Sequence, residues 1–165
     1  MAEPIERPKW NAPLRIRPIS LALIRRPSAG GWLAGYGKDS RKNREFYRPP
    51  GGGIEFGENS SETVRREMME EFGTVVEPLH LLGVTENIFT YEGNPGHEIV
   101  FLWETRFVDE RFYALDEIVI AADNGERNPA HWIDPDDLAA RGIALYPDGL
   151  PEILRQQTGS QKFHF

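Results

Sequence analysis

Apolar positions along this chain change their period from one segment to the next. From Arg15 to Arg26 they alternate in part and then run together at Ile19, Leu21, Leu23 and Ile24, which predicts a strand with a first half weakened by Pro18. Gly30 to Tyr36 predicts a short second strand and Glu45 to Arg48 a third, with the basic polar stretch Lys38 to Arg44 as the loop between them. A spacing of four then takes over at Val64, Met68 and Phe72, the buried stripe of one helix. Asn59 stands at its N-cap with Glu62 three residues on, a variant of the capping box, and Gly73 suits the left-handed position that ends helices. Strand-like apolar runs follow at Leu79 to Val84, Asn87 to Tyr91 and Glu98 to Val108, with Glu92-Gly93-Asn94-Pro95-Gly96 as a turn. Ala130 to Ile133 predicts a further strand. Asp134-Pro135 opens a short helix through Ala140, and Leu150 to Gln157 predicts a closing one.

Strands before and after one central helix, with further helices late, predict a layered domain of the α/β or α+β class. The predicted boundaries are an N-terminal arm over 1–14, which carries Pro4, Pro8 and Pro13, a single domain over 15–157, and a tail over 158–165 without regular structure. A hydrophobic fraction of 39% with 27% charged residues is the balance of an ordinary globular protein. No apolar run reaches the length of a membrane span, and the first residues carry no basic-then-apolar leader. Zero cysteines exclude disulfides and thiol catalysis and accord with a cytoplasmic location. A net charge of −7 argues against a general nucleic-acid binder; such a chain needs cations wherever it holds a polyanion.

The predicted central helix is electrostatically at odds with itself. At about 100° per residue, Glu67, Glu70 and Glu71 share one sector of its surface. Two like-charge pairs at i,i+3 and i,i+4, with carboxylates at the C-terminal end of the helix dipole, each cost on the order of 0.3–1 kcal/mol. A bound divalent cation reverses that sign; a solvated acidic face, neutralised by Arg65 and Arg66, is the other reading. Ahead of the helix, Pro49-Pro50-Gly51-Gly52-Gly53 allows positive φ and close approach to a ligand, and positive φ at Gly52 would bar a β-branched residue. Glycine loop, Glu58 and acidic helix together favour a phosphate and metal site.

Gly52, Glu58, Arg66, Glu67, Glu70, Glu71 and Gly73 stand in the order and spacing G-x5-E-x7-R-E-U-x-E-E-x-G-U, where U is bulky and aliphatic. This resembles the signature of the Nudix (MutT-like) hydrolases, with Met68 as the first U and Thr74 in place of the second. The resemblance implies an α/β/α sandwich around a central mixed β-sheet, and hydrolysis of a diphosphate linked to another group, usually a nucleoside. It implies magnesium or manganese as cofactor, with Glu67, Glu70, Glu71 and the Gly51 carbonyl as ligands. It also implies that Glu67 or another site glutamate helps deprotonate the water, that Arg66 orients a glutamate, and that Glu58 supports the metal shell and fixes the loop against the helix. A further carboxylate is expected from a loop outside the box, with Glu126 as the candidate and Glu104 and Glu117 as rivals. Gly52, Gly53, Arg48 and Tyr91 are the expected substrate-binding positions.

Arg25, Arg41, Lys42 and Arg44 are further candidates for holding phosphate, and Trp32, Phe46 and Tyr47 for stacking a base; single charges and strand aromatics of this kind are commonly solvated or core. His80, His97, His131 and His164 show no zinc-like spacing. The substrate is not named by the chain. The S-Q-P-W-P-x-S stretch of reduced-dinucleotide hydrolases is absent. Phe89 and Thr90 occupy the zone where the ADP-ribose class favours proline, and Tyr91 lies near a tyrosine position of dinucleoside polyphosphate hydrolases. The expected partner is a small nucleotide-like diphosphate, with neither nucleic-acid polymer nor membrane, and the chain is compatible with a homodimer. The competing class is a Nudix-fold domain that binds nucleotide without cleaving it.

Overall fold

The longest run of fully buried residues, Ile19 to Ile24, lies in the strand β1 (Ile16–Ile24), and everything else is arranged to cover its two faces. The computed structural model describes residues 14–28, 30–121 and 127–160. After β1 come β2 (Trp32–Asp39), β3 (Arg44–Arg48), β4 (Gly51–Gly53), α1 (Ser60–Phe72), β5 (Val76–Tyr91) and β6 (Asn94–Phe107). A 3-10 turn at Glu110–Ala114 leads to β7 (Glu117–Ala121), β8 (Arg127–Ile133), α2 (Pro135–Ala140), β9 (Ala144–Leu145) and α3 (Leu150–Ser160).

Side chains of a strand alternate between faces. Ile19, Leu21 and Leu23 join Val100 and Leu102 of β6, Trp32, Ala34 and Tyr47 of the second sheet, Leu138 of α2 and Leu150 and Leu154 of α3 in one core. Ala22 and Ile24 point the other way and join Val64 and Met68 of α1, with Val76, Phe107 and Ile118. Helices thus cover both faces, which is why β1 reads as a nearly continuous apolar run rather than an alternating one.

The expected α+β class holds, with the strands divided between two mixed sheets. One has the order β4-β1-β6-β5, the other β7-β8-β2-β3-β9, and an isolated bridge from Arg25 to Trp32 joins them at the β1–β2 turn. β1 runs parallel to β6 and antiparallel to β4, and β3 runs parallel to β9. The two apolar runs expected over Leu79 to Val84 and Asn87 to Tyr91 are one strand, since Thr85 and Glu86 between them pair in unbroken register with Val100 and Ile99; two register shifts against β6 fall earlier, at Pro78/His80 and Leu81/Gly83. The expected five-residue turn shrinks to Glu92 and Gly93, both at positive φ (50° and 77°), the combination of a tight type I′ hairpin. Asn94, Pro95 and Gly96 already pair with β5; Pro95 lacks an N–H donor but sits near the hairpin end, where a ladder bond is dispensable. The basic loop is shorter than expected, since β2 runs to Asp39 and β3 starts at Arg44. β7, β9 and the 3-10 turn carry no periodic run long enough to announce them, and α3 extends to Ser160, past the expected start of the tail at Thr158.

The faces of α1 make a direct test. Met68 is fully buried and Met69 is 46% exposed, so Met68→Ala is expected to cost about 2–5 kcal/mol and Met69→Ala well under 1 kcal/mol. Chemical denaturation of the two variants measures the difference. Equal losses would place the helix in another rotation.

Candidate active site

α1 is held against the sheet at its first residue. Ser20, fully buried on β1, donates through Oγ to the Ser60 carbonyl at 2.7 Å, and Trp103 Nε1 donates to Ser60 Oγ at 3.0 Å. Asn59 caps the helix from an extended conformation, with its N–H donated to Glu62 Oε2 at 2.8 Å, and Gly73 closes it at φ 66° with its N–H on the Met69 carbonyl. Thr74, where the motif wants an aliphatic residue, is buried, and Val76 rather than Val75 fills the apolar space beside it.

With both ends placed, the glycines of β4 and the glutamates of α1 come together. β4 pairs with β1 so that Gly51, Gly52 and Gly53 face Leu21, Ser20 and Ile19. A Cβ on Gly52 would fall 2.4 Å from Glu67 Oε1, so the carboxylate lies directly on the Gly52 backbone. The positive φ of the segment belongs to Gly51 (143°), where a Cβ would also come within 2.1 Å of the Ser20 carbonyl. Gly52 is therefore required for want of space rather than for positive φ, which corrects the reason expected from the sequence.

Arg66 ties these parts into one unit. Its Nε and Nη2 donate to Glu58 Oε1 and Oε2 at 2.9 and 3.0 Å, a bidentate pair, and Nη2 also donates to the Gly53 carbonyl at 2.9 Å. Its Nη1 donates to Glu67 Oε1 at 2.8 Å and to Glu70 Oε2 at 3.3 Å. The Thr63 hydroxyl adds a bond to Glu58 Oε2 at 2.7 Å, and the Glu55 N–H another at 3.1 Å. The hydrogen bonds from Arg66 hold the Glu58 carboxyl down to about 2, with burial opposing them and Thr63 assisting. The same bonds, Glu58 first, push the Arg66 guanidinium still further above its ordinary range.

One guanidinium thus serves three carboxylates, Glu58, Glu67 and Glu70, and Glu71 on the next position of α1 adds a fourth acid to the cluster. All are hard oxygen donors, the chemistry that magnesium and manganese take. The donor set therefore fits a divalent cation. In this conformation, among the described residues, no three acid or histidine side chains converge as a ready coordination shell. Arg66 engages one oxygen of each carboxylate, Oε1 of Glu67 and Oε2 of Glu70, so it orients both acids without taking up both of their oxygens, and the exposed Glu70 has room to turn.

Other expected site residues lie outside this cluster. Arg48 is ion-paired to Glu98 at 3.8 Å, and Tyr91 packs edge-to-face on Phe46, with ring centroids 5.8 Å apart. Trp32 and Tyr47 are core residues. Lys42 bonds Asp39 and the Thr90 carbonyl, and the Arg41 guanidinium lies against Gly93, so both serve the junction with the β5–β6 hairpin. Glu117 pairs with His131 at 2.9 Å, whose Nδ1 in turn meets the Tyr47 hydroxyl at 3.0 Å. Glu104 lines a cavity of about 610 Å³ with Arg25, Glu77 and Tyr113. Glu126 and His164 lie outside the described residues. The sequence reading missed Thr63, which steadies Glu58, and the pair Arg17–Glu98. Thr63 sits five positions from Glu58 at the helix start, a legible signal; the pairing of Arg17 with Glu98 depends on parallel strand register and has none.

Comparison with known proteins agrees with this geometry. The family model of the Nudix domain matches residues 19–154. A Nudix hydrolase from Nitrosomonas europaea superposes with a TM-score of 0.59 at 19% identity, covering 88% of this chain and 90% of that one. A MutT protein from Methanosarcina mazei gives 0.55 at 22% identity, with 89% and 96% covered. An ADP-ribose pyrophosphatase from Streptococcus suis gives 0.54 at 16% identity, with 92% and 96% covered. At these identities the likeness is one of fold.

Two predictions follow from the packing of this cluster. Gly52→Ala is expected to displace Glu67 and lower both thermal stability and activity, whereas Gly53→Ala, with nothing within 4 Å of its Cβ, costs little stability; a normal melting temperature and activity for Gly52→Ala would refute the close approach. Glu58→Gln is expected to cost on the order of 1–3 kcal/mol at neutral pH. Because folding lowers the Glu58 pKa from 4.5 to about 2, its contribution is complete above the unfolded value and vanishes as pH falls towards 2. The gap in melting temperature between wild type and variant should therefore narrow between about pH 5 and pH 2, and a constant gap would contradict the linkage.

Proposed function

This chain belongs to the Nudix family and is a pyrophosphohydrolase, and on that premise we propose that it cleaves, with a divalent metal, the pyrophosphate linkage of a nucleoside diphosphate joined to another group. The observation that carries the proposal is the meeting of glycine strand and acidic helix, with the Glu67 carboxylate on the Gly52 backbone and Arg66 binding Glu58, Glu67, Glu70 and Gly53 at once.

In this reading Glu67, Glu70, Glu71 and the Gly51 carbonyl hold magnesium or manganese, which supplies Lewis acidity and lowers the pKa of bound water. Arg66 fixes the Glu67 carboxylate in place, and Glu58 fixes Arg66, so that removal of either loosens the base without touching substrate. Glu67 or a neighbouring site glutamate takes the proton of the attacking water, and Glu126, on the segment between β7 and β8, is the proposed additional carboxylate. The backbones of Gly52 and Gly53 line the phosphate path, with no side chain to block it. Arg48, three residues ahead of Gly51, and Tyr91, packed on Phe46, are the proposed substrate-side residues.

The cysteine-free composition supports a cytoplasmic location. Among the described residues, no helix is long and apolar enough to cross a membrane. Exposed Leu81, Val84 and Ile88 along the edge strand β5 support a homodimer.

The test is formation of a nucleoside monophosphate and a second phosphomonoester from a panel of nucleoside diphosphate derivatives, resolved by chromatography. Chelator is expected to abolish turnover, and magnesium or manganese to restore it. Glu70→Gln and Glu71→Gln are each expected to lower kcat by about a hundredfold or more, and Glu126→Gln by at least about tenfold, equivalent to roughly 1.4 kcal/mol of transition-state stabilisation. The metal-free melting temperature of Glu71→Gln should hold or rise, since the change relieves repulsion at the C-terminal end of α1. Full activity under chelation would overturn the metal assignment. Loss of metal-free stability without loss of turnover would make the glutamates structural.

A further inference from the structure

Glu98 of β6 is a buried carboxylate outside the signature, with its side chain only 5% exposed. The groups that reach it, among the described residues, are two guanidinia: Arg17 Nη1 lies 3.7 Å from Oε1 and Arg48 Nη2 lies 3.8 Å from Oε2. Both separations are longer than hydrogen bonds. A carboxylate taken out of water costs several kcal/mol, and contacts of this length recover it incompletely, so stability is a poor reason for the arrangement. Its evident effect is to draw two arginines from different sheets to one point. Two guanidinia on one carboxylate leave an excess of about one positive charge, in a chain whose net charge is −7. The two side chains remain 30% and 37% exposed, so each keeps donors facing outward.

The position of this cluster is what gives it a use. Arg48 is three residues ahead of Gly51, a backbone span of at most about 11 Å. Arg17 precedes Pro18, whose carbonyl accepts the Ile54 N–H at 3.0 Å, directly beyond the glycine strand. Arg17 shares its face of β1 with Ile19 and Leu21, the face turned to α3, while Ser20, under Gly52 and Glu67, is on the opposite face. The arginine pair therefore cannot grip the same phosphate as the acidic helix. It sits beside it, across the strand. Arg17 and Glu98 also line a cleft of about 300 Å³ with Arg15, Phe89 and His97, at the lower end of the size of ligand pockets.

We propose that Arg17 and Arg48, oriented by Glu98, form an anion subsite for a phosphate that the substrate carries outside its scissile diphosphate. The substrate class is then a nucleoside diphosphate derivative with an additional phosphomonoester. Planar guanidinium forks match a phosphate bidentately, and its two charges meet the excess cation. Glu98 acts as a positioning residue, through the arginines. This inference rests on the pyrophosphohydrolase reading above for its kinetic consequence, although not for its binding consequence.

The experiment uses matched compounds that differ by one phosphomonoester: coenzyme A against dephospho-coenzyme A, and NADPH against NADH. At least one phosphorylated member is expected to show a kcat/KM higher by about tenfold or more, carried by KM rather than kcat. In Arg17→Ala and Glu98→Gln that ratio falls to within about twofold of unity, and Arg17→Lys, which keeps the charge and loses the fork, retains part of it. In parallel, calorimetry in chelator compares adenosine 3′,5′-bisphosphate with adenosine 5′-monophosphate, for which wild type favours the bisphosphate by about tenfold and Arg17→Ala does not. Turnover with no preference in either pair, and equal affinities in calorimetry, overturns the subsite and leaves the hydrolase reading intact. Absence of turnover with the affinity difference present and lost in Arg17→Ala overturns the hydrolase reading and upholds the subsite. Should Arg17→Ala fold poorly, the wild-type ratios and Arg17→Lys decide the matter by themselves.

Discussion

The contact on which the rest of the site depends is the set of hydrogen bonds made by Arg66. A single planar guanidinium reaches Glu58 at the loop, Gly53 on the strand and Glu67 and Glu70 on the helix. It neutralises part of an acidic cluster that would otherwise repel itself, and it sets the distance between helix and glycine strand. Lysine could supply the charge but not the fork geometry, because an ammonium group has no fixed plane in which to hold two carboxylates and a carbonyl. The outward push on Glu67 from its neighbours and the inward pull from Arg66 leave a carboxylate fixed on the Gly52 backbone, where even a methyl group would collide with it.

That arrangement holds only because the scaffold beneath it is rigid. β1 is covered on both faces, by α1 on one and by α2 and α3 on the other, so the strand that pairs with β4 cannot shift without disturbing both cores. Ser20 is the link between scaffold and site. It is fully buried, its hydroxyl bonds the first residue of α1, and its partner in the sheet is Gly52. The start of the helix and the glycine strand are therefore measured from the same residue.

Charge is distributed with the same economy. At the α1 site Arg66 meets three carboxylates, Glu58, Glu67 and Glu70, more than one guanidinium balances, which suits a cation. The α3 side, at Arg17, Arg48 and Glu98, carries more guanidinium than carboxylate, which suits an anion. A substrate with phosphates at separate points meets both, with β1 between them. An acidic chain can in this way bind an anionic ligand without becoming a general polyanion binder.

Much of this was legible in the linear chain, and the reason is locality. The spacing of Val64, Met68 and Phe72, the cap at Asn59 and the stop at Gly73 define α1 within fifteen residues, and Arg66, Glu67 and Glu70 share that helix, so its geometry alone brings them near. What tertiary structure decided is whatever spans long separations. The pairing of Thr85 and Glu86 that merges two apolar runs into β5 answers to the register of β6, and β9, two residues long, exists only because β3 offers it a parallel edge. Gly52 reads as a turn glycine until Glu67 is seen lying on it. Arg17, Arg48 and Glu98 come from three separate strands, and no periodicity relates them; their meeting was set by parallel pairing of β1 with β6 and by the packing of one sheet on the other, neither of which a local pattern encodes.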